Sequence, residues 1–73
     1  MEQDPQFLID VAKAKMPYGK YKGVSLIDLP ENYVVWYHSK GFPKGKLGSM
    51  LGLVYELKLN GLEGIIRKIK NDY

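Results

Sequence analysis

The 73-residue sequence has no cysteine, which excludes a disulfide framework and a thiolate metal site. It has a single histidine, His38, and no run that approaches the roughly 20 consecutive apolar residues of a membrane span. Residues 1–4 carry acidic side chains and lead into no continuous apolar stretch, which is unlike a secretory signal peptide. We therefore expect a cytoplasmic protein that has no membrane partner.

The hydrophobic content is high enough for one small core. A chain of this length buries only about 60% of the surface that its unfolded form exposes. However, 45% of the residues are hydrophobic, and one Trp, six Tyr and two Phe are present. No repeat, low-complexity tract or linker divides the chain. The sequence predicts a single domain over residues 1–73.

Glycine, tyrosine and lysine are densest in residues 16–25. Gly19 and Gly23 can adopt a positive φ without a steric clash, so they allow tight turns between two short extended pieces. Residues 16–18 and 22–25 would form those pieces. The sequence therefore predicts a small antiparallel β-hairpin near residues 16–25.

Apolar residues at helical spacing surround this segment. Ser25 is placed to cap a short helical turn through Asp28, and Pro30 suits the start of the next helix. The predicted fold is mainly α, with an α+β character given by the hairpin, which packs on about four short helices. The helices are predicted over residues 5 to about 15, 31–39, 46 to about 59, and 62–73.

The positive charge is concentrated in the middle of the chain. Residues 13–46 contain seven lysines against Asp28 and Glu31, a local sum of +5, whereas the whole chain carries +3. A basic region can bind an anionic partner such as DNA or RNA. The alternative is that these lysines only keep a small domain soluble and protect the edges of the hairpin.

Two tyrosines in the predicted hairpin alternate with lysines, as in surfaces that bind nucleic acid. An exposed Tyr18 or Tyr21 could stack on a base while lysines contact the phosphates. Alternatively, both rings fold inward onto Tyr33 and Trp36 as part of the core. The candidate nucleic-acid-binding residues are Tyr18, Lys20, Tyr21, Lys22 and Lys44, and the residues assigned a structural role are Gly19, Gly23, Pro30, Tyr33 and Trp36.

No group of residues indicates catalysis. Nucleophilic catalysis needs an activated Ser, Cys or Thr with a base, and His38 is better placed for a structural role near a helix C-terminus. Asp28 and Glu31 are explained as residues at helix starts rather than as metal ligands. The Gly-Lys-Tyr-Lys-Gly run lacks the spacing of a P-loop. We expect no enzymatic activity, no metal and no cofactor.

Several short blocks occur in order along roughly residues 15 to 63, about two thirds of the chain. They are Met16-Pro17-Tyr18-Gly19-Lys20-Tyr21-Lys22-Gly23, Asp28-Leu29-Pro30, Tyr33 with Trp36, Lys40-Gly41-Phe42-Pro43, Leu47-Gly48, Tyr55-Glu56 and Asn60-Gly61-Leu62. Together they resemble the small bacterial family labelled putative quorum-sensing-regulated virulence factor. The Gly-Lys-Tyr-Lys-Gly run with Tyr33 and Trp36 is also similar to the C-terminal accessory module of exodeoxyribonuclease X-type exonucleases.

The first resemblance implies no chemistry, and the second implies an association with enzymes that act on nucleic acid. Neither brings a catalytic residue to this chain.

Two hypotheses about function follow. The protein is a non-catalytic nucleic-acid-binding accessory module, or it is a regulatory domain that binds a protein partner or forms a homodimer. In the second case the stripe Leu47 to Leu57 or the helix Leu62 to Tyr73 would expose apolar surface.

Overall fold

A computed structural model describes residues 5–72 of the chain, and within them the fold is mainly helical. The first helix ends two residues earlier than predicted, the second ends one residue later, and the last begins one residue later. Tyr73, the predicted end of the last helix, lies outside the described residues. The elements are α1 (Pro5–Lys13), a 3-10 turn (Leu26–Asp28), α2 (Glu31–Lys40), α3 (Lys46–Leu59) and α4 (Glu63–Asp72).

The four helices form two packed pairs around one apolar core. α1 packs mainly against α4, and α2 packs against α3. The 3-10 turn contacts α1, α3 and α4, so it lies where the two pairs meet. Full burial of a large apolar side chain contributes roughly 1.5–3 kcal/mol. The buried apolar residues are Val11, Ala12, Met16, Leu26, Ile27, Leu29, Val34, Leu51, Val54 and Ile66.

The predicted β-hairpin is wrong. Among the described residues there is no strand. The two arms of the segment form one isolated antiparallel bridge, between Lys15 and Ser25, with a few backbone hydrogen bonds beside it. Gly19 and Gly23 do adopt a positive φ, at 83° and 86°. They curl residues 19–24 into consecutive turns, with Lys22 N–H donating to the Gly19 carbonyl at 3.2 Å. Too few residues remain extended to form strands. We call residues 16–25 the glycine loop.

Two buried side chains lie beside the bridge. Met16 and Leu26 flank the bridge, and both turn into the core immediately. Met16 still exchanges backbone hydrogen bonds across the loop, with Val24 at 2.9 Å and Gly23 at 2.8 Å. The loop is therefore anchored at its base by burial as well as by hydrogen bonds.

A group of polar side chains joins the end of the glycine loop to α3 and α4. Lys58 is only 9% exposed, and its Nζ donates to the Ile27 carbonyl at 2.8 Å. Lys70 Nζ donates to Asp28 Oδ2 at 3.1 Å and to Ser25 Oγ at 2.8 Å. Arg67 also pairs with Asp28, at 3.4 Å. We call these side chains the Asp28 cluster.

The Asp28 cluster corrects the role predicted for Ser25. The Ser25 side chain makes no capping hydrogen bond to the 3-10 turn, because its hydroxyl accepts from Lys70 instead. The hydrogen bond from Lys70 lowers the pKa of Asp28, and burial lowers the pKa of Lys58. Asp28 is therefore ionised at neutral pH and joins residues more than 30 positions apart in the sequence.

The loop between α2 and α3, residues 41–45, approaches α3 very closely at Gly48. A Cβ atom built on Gly48 would overlap the carbonyl oxygen of Pro43. Gly48 therefore allows a close approach, and the neighbour is loop backbone. Gly52, four residues further along α3, has nothing within 4 Å of such an atom. We call residues 41–45 the proline loop.

None of the helices in residues 5–72 combines the length and the apolar character that crossing a membrane requires.

Candidate nucleic-acid interface

Three aromatic side chains of α2 lie on one face of the helix, as their spacing predicts. Tyr33 and Trp36 stack with ring centroids 5.9 Å apart and an angle of 28° between the rings. Tyr37 meets Tyr33 edge to face, also at 5.9 Å. Val34 is the buried residue of α2 and points to the core. The aromatic residues are therefore at the boundary between core and solvent.

The glycine loop adds two further tyrosines to this face. The Tyr21 ring contacts Tyr33 edge to face at 4.6 Å and is partly buried. The Tyr18 hydroxyl lies 3.1 Å from the Tyr37 hydroxyl, while its side chain remains 46% exposed. The Tyr21 ring is thus partly folded inward onto Tyr33, whereas Tyr18 presents its ring to solvent.

The proline loop closes the other end of the face. Phe42 meets Tyr37 edge to face at 5.5 Å. Phe42 also contacts His38 at 5.6 Å, and His38 stacks on Tyr55 at 3.9 Å with the rings nearly parallel. His38 is therefore engaged in packing between α2 and α3. We define the aromatic face as Tyr18, Tyr21, Tyr33, Trp36, Tyr37 and Phe42.

The most exposed ring of the aromatic face belongs to Trp36, for which a structural role is predicted from the sequence. Trp36 is 53% exposed, although its stacking on Tyr33 covers one side. Apolar spacing assigns a tryptophan to the core by default, because large aromatic residues are usually buried. The signal that could have identified its exposure is the short apolar stripe of α2, in which Val34 alone is buried.

The candidate lysines border the aromatic face and are exposed. Lys20 and Lys22 lie on the glycine loop, and the Lys20 ammonium is 5.5 Å from the centre of the Tyr21 ring. Lys44 lies on the proline loop, two residues after Phe42. The ion pairs within residues 5–72 involve other cations, namely Lys46, Arg67 and Lys70. The protein's own carboxylates in that range therefore leave the three candidate lysines without an ion pair.

Acidic residues are scarce around the aromatic face. The glycine loop, α2 and the proline loop together contain four lysines and one carboxylate, Glu31, a formal charge of +3. Residues 20–22 lie in turns rather than in a strand, so strand alternation does not place Lys20 and Lys22 on one face. Both are nevertheless exposed. The resulting local charge favours the approach of an anion.

The contact between the Tyr18 and Tyr37 hydroxyls changes the pKa of Tyr37. The hydrogen bond with Tyr18 and partial burial raise the pKa of Tyr37 to about 12. The Tyr37 hydroxyl is therefore neutral at physiological pH and adds no negative charge to the aromatic face. Within residues 5–72, no group of three or more His, Asp or Glu side chains could hold a metal ion.

Comparisons with known proteins identify relatives along most of the chain. A family model described as "Putative quorum-sensing-regulated virulence factor" matches residues 4–69. "Uncharacterized protein YpeB" of Escherichia coli strain K12 is 45% identical over 64 residues, which cover 86% of this chain and 89% of the relative. The protein of the same description in Escherichia coli O157:H7 has the same identity and coverage. No solved structure matches. The first resemblance drawn from the sequence is confirmed, and the match extends beyond residues 15 to 63.

Proposed function

Since the chain belongs to the putative quorum-sensing-regulated virulence factor family, a description that names no ligand, we propose its function from its surface: it binds nucleic acid and catalyses no reaction. The observation that carries this proposal is the aromatic face, which includes exposed Tyr18 and whose two loops carry the exposed Lys20, Lys22 and Lys44. In this proposal the protein is a cytoplasmic accessory module that serves an enzyme supplied by another chain.

The three lysines supply the sequence-independent part of the affinity. Each phosphate that a lysine neutralises releases condensed counterions, so affinity falls as salt rises. If Lys20, Lys22 and Lys44 each contact one phosphate, the logarithm of the binding constant should fall with the logarithm of salt concentration with a slope of about −2 to −3. Exposed aromatic rings add a contribution that depends little on salt.

Fluorescence anisotropy tests the proposal directly. Labelled single-stranded DNA, duplex DNA and RNA are titrated with the protein at two salt concentrations. The double variant Lys20→Gln with Lys22→Gln should bind more weakly and show a shallower salt dependence, with the slope reduced in magnitude by about 1.4–1.8. The matched control is Lys13→Gln with Lys68→Gln, which removes the same charge from exposed positions on α1 and α4.

The control variant should lose less affinity than the test variant, because α1 and α4 contribute no residue to the aromatic face. Equal losses in the two variants would mean that only net charge matters, and would contradict a defined binding surface. Flat titrations of the unmodified protein at low salt with all three nucleic acids would end the proposal.

A second candidate function is association with a protein partner or a second copy of the chain. The stripe Leu47 to Leu57 does not provide its surface, because Leu51 and Val54 are fully buried. The corner between α3 and α4 is a better candidate, since Leu59, Leu62 and Ile65 are each about half exposed, at 52%, 48% and 51%. Light scattering tests self-association: Leu62→Ser should lower a measured dimer mass, and a strict monomer at all concentrations argues against a homodimer.

A further inference from the structure

Trp36, the most exposed ring of the aromatic face, suggests which form of nucleic acid that face accepts. We propose that the ligand is single-stranded, and that Trp36 and Tyr18 each stack on one of its unpaired bases. This inference rests on the function proposed above and makes it more specific. It also gives Trp36 a binding role.

The packing around Trp36 leaves one side of its ring available. Tyr33 covers the other side at 5.9 Å, and Tyr21 in turn supports Tyr33 from the edge at 4.6 Å. The indole is therefore backed by two further rings while 53% of the residue faces solvent. A base can stack on such a ring without a change in the protein's backbone.

Tyr18 provides a second exposed ring nearby. Its hydroxyl is held 3.1 Å from the Tyr37 hydroxyl, and the Tyr37 ring lies 6.0 Å from that of Trp36. Tyr37 thus contacts both Tyr18 and Trp36. This arrangement offers two stacking positions within one surface, which suits a flexible strand with successive bases turned outward.

The charges next to Trp36 are also favourable. Lys40 lies four residues after Trp36 and hence on the same face of α2, and Asn32 lies four residues before it. Glu31, the only carboxylate of α2, is five residues before Trp36 and is turned away from it around the helix. Lys40 can therefore contact phosphate beside a stacked base, with no carboxylate on the same face of α2.

Stacking on side chains distinguishes single strands from duplexes. In a duplex, each base face is covered by its neighbours, so an aromatic side chain gains contact only where bases unstack. Every unpaired base presents a face, so stacking tolerates many sequences. We therefore expect a preference for single strands over duplexes with little dependence on base sequence.

The intrinsic fluorescence of the protein reports on this contact, because Trp36 is its only tryptophan. Three probes of equal length, about 12 nucleotides, lie within the range of known single-strand sites. They are an oligothymidylate, the matched duplex, and an abasic strand that keeps the sugars and phosphates. An oligouridylate tests RNA in the same way. We expect oligothymidylate or oligouridylate to quench Trp36, and the duplex and the abasic strand to leave its emission nearly unchanged.

A pair of variants separates stacking from charge. Trp36→Ala should weaken binding of labelled oligothymidylate by roughly 5- to 150-fold, the range for loss of one stacked base. It should leave binding of the abasic strand nearly unchanged. The matched control is Ile65→Ala, which truncates a side chain that is 51% exposed on α4. That control should bind both probes as the unmodified protein does, and circular dichroism checks that both variants fold.

The outcomes distinguish this inference from the function on which it rests. If no nucleic acid binds at low salt, both are overturned. If the duplex binds as tightly as the single strand, or if binding leaves Trp36 emission unchanged, only the single-strand inference is overturned. If Trp36→Ala binds oligothymidylate as tightly as the unmodified protein does, the single-strand inference is likewise overturned. Selective quenching by unpaired bases supports both.

Discussion

Two glycines of α3 offer a matched test of how the proline loop is positioned. Gly48 and Gly52 lie four residues apart, so they occupy nearly the same face of one helix. The perturbation is the same at both sites, a single methyl group introduced by Gly48→Ala or Gly52→Ala. Only at Gly48 would the new Cβ overlap another atom, the carbonyl oxygen of Pro43.

The magnitudes follow from two opposing contributions. Alanine in place of glycine inside a helix stabilises the folded state by about 1 kcal/mol at either position. Overpacking typically costs about 1–3 kcal/mol, and the high end applies at Gly48 because the obstructing atom belongs to the backbone and cannot rotate away. We therefore expect Gly52→Ala to gain about 1 kcal/mol and Gly48→Ala to lose about 2 kcal/mol.

Thermal unfolding followed by circular dichroism measures both variants. For a domain of 60 to 100 residues, 1 kcal/mol corresponds to a change in Tm of roughly 4–8 °C. Gly52→Ala should raise Tm by about that amount, and Gly48→Ala should lower it by roughly 8–16 °C. Urea unfolding provides an independent free energy of unfolding, against a total of roughly 4–11 kcal/mol for a chain of this length.

Equal stability of the two variants would refute the reasoning, because it would show that the proline loop does not approach α3 at Gly48. A stabilised Gly48→Ala would have the same meaning. The proline loop carries Phe42 and Lys44, so the test also concerns the aromatic face. If the Pro43 carbonyl has to move, both of those side chains move with it.

Two further predictions concern titrating groups. The pKa of Tyr37, raised to about 12, gives stability that is present below pH 10 and lost as pH rises toward 12. Tyr18→Phe should lower this pKa, which the near-ultraviolet absorbance of tyrosinate measures. An unchanged titration would contradict the hydrogen bond between the Tyr18 and Tyr37 hydroxyls. Burial lowers the pKa of Lys58 from 10.5, so the unfolded chain binds more protons between the lowered pKa and 10.5, and stability should rise with pH there. Lys58→Met should remove that rise in urea unfolding measured across alkaline pH, and a rise that persists would show that Lys58 is not its source.

The helices were predictable because their signals are local. Pro30 directly precedes α2, and its carbonyl accepts the N–H of Tyr33 and Val34, so the helix starts where the sequence indicates. Asn60 and Gly61 likewise mark the end of α3. The prediction of a β-hairpin was wrong because glycine and tyrosine content does not show how many residues stay extended. The burial of Met16 and Leu26 beside the bridge is a tertiary effect, and the local sequence does not show it.

The arrangement of the aromatic face was only partly predictable. Helical spacing places Tyr33, Trp36 and Tyr37 on one face, but it does not show which side meets solvent. Lys58 illustrates the same limit, since a lysine is normally assigned to the surface. It follows Leu51 and Val54 on the buried stripe of α3, and this position is the signal in the sequence. The carbonyl of Ile27 makes its burial tolerable, and that partner lies 31 residues away.

The Asp28 cluster has a consequence for any attempt to transplant the aromatic face into another scaffold. The glycine loop ends at Ser25, and Lys70 near the far end of the chain holds that residue in place. A graft of residues 16–45 alone would carry every ring and lysine of the surface but leave behind the cations that fix its base. The recipient would have to supply equivalents of Lys58, Arg67 and Lys70 before the donated segment could keep its shape.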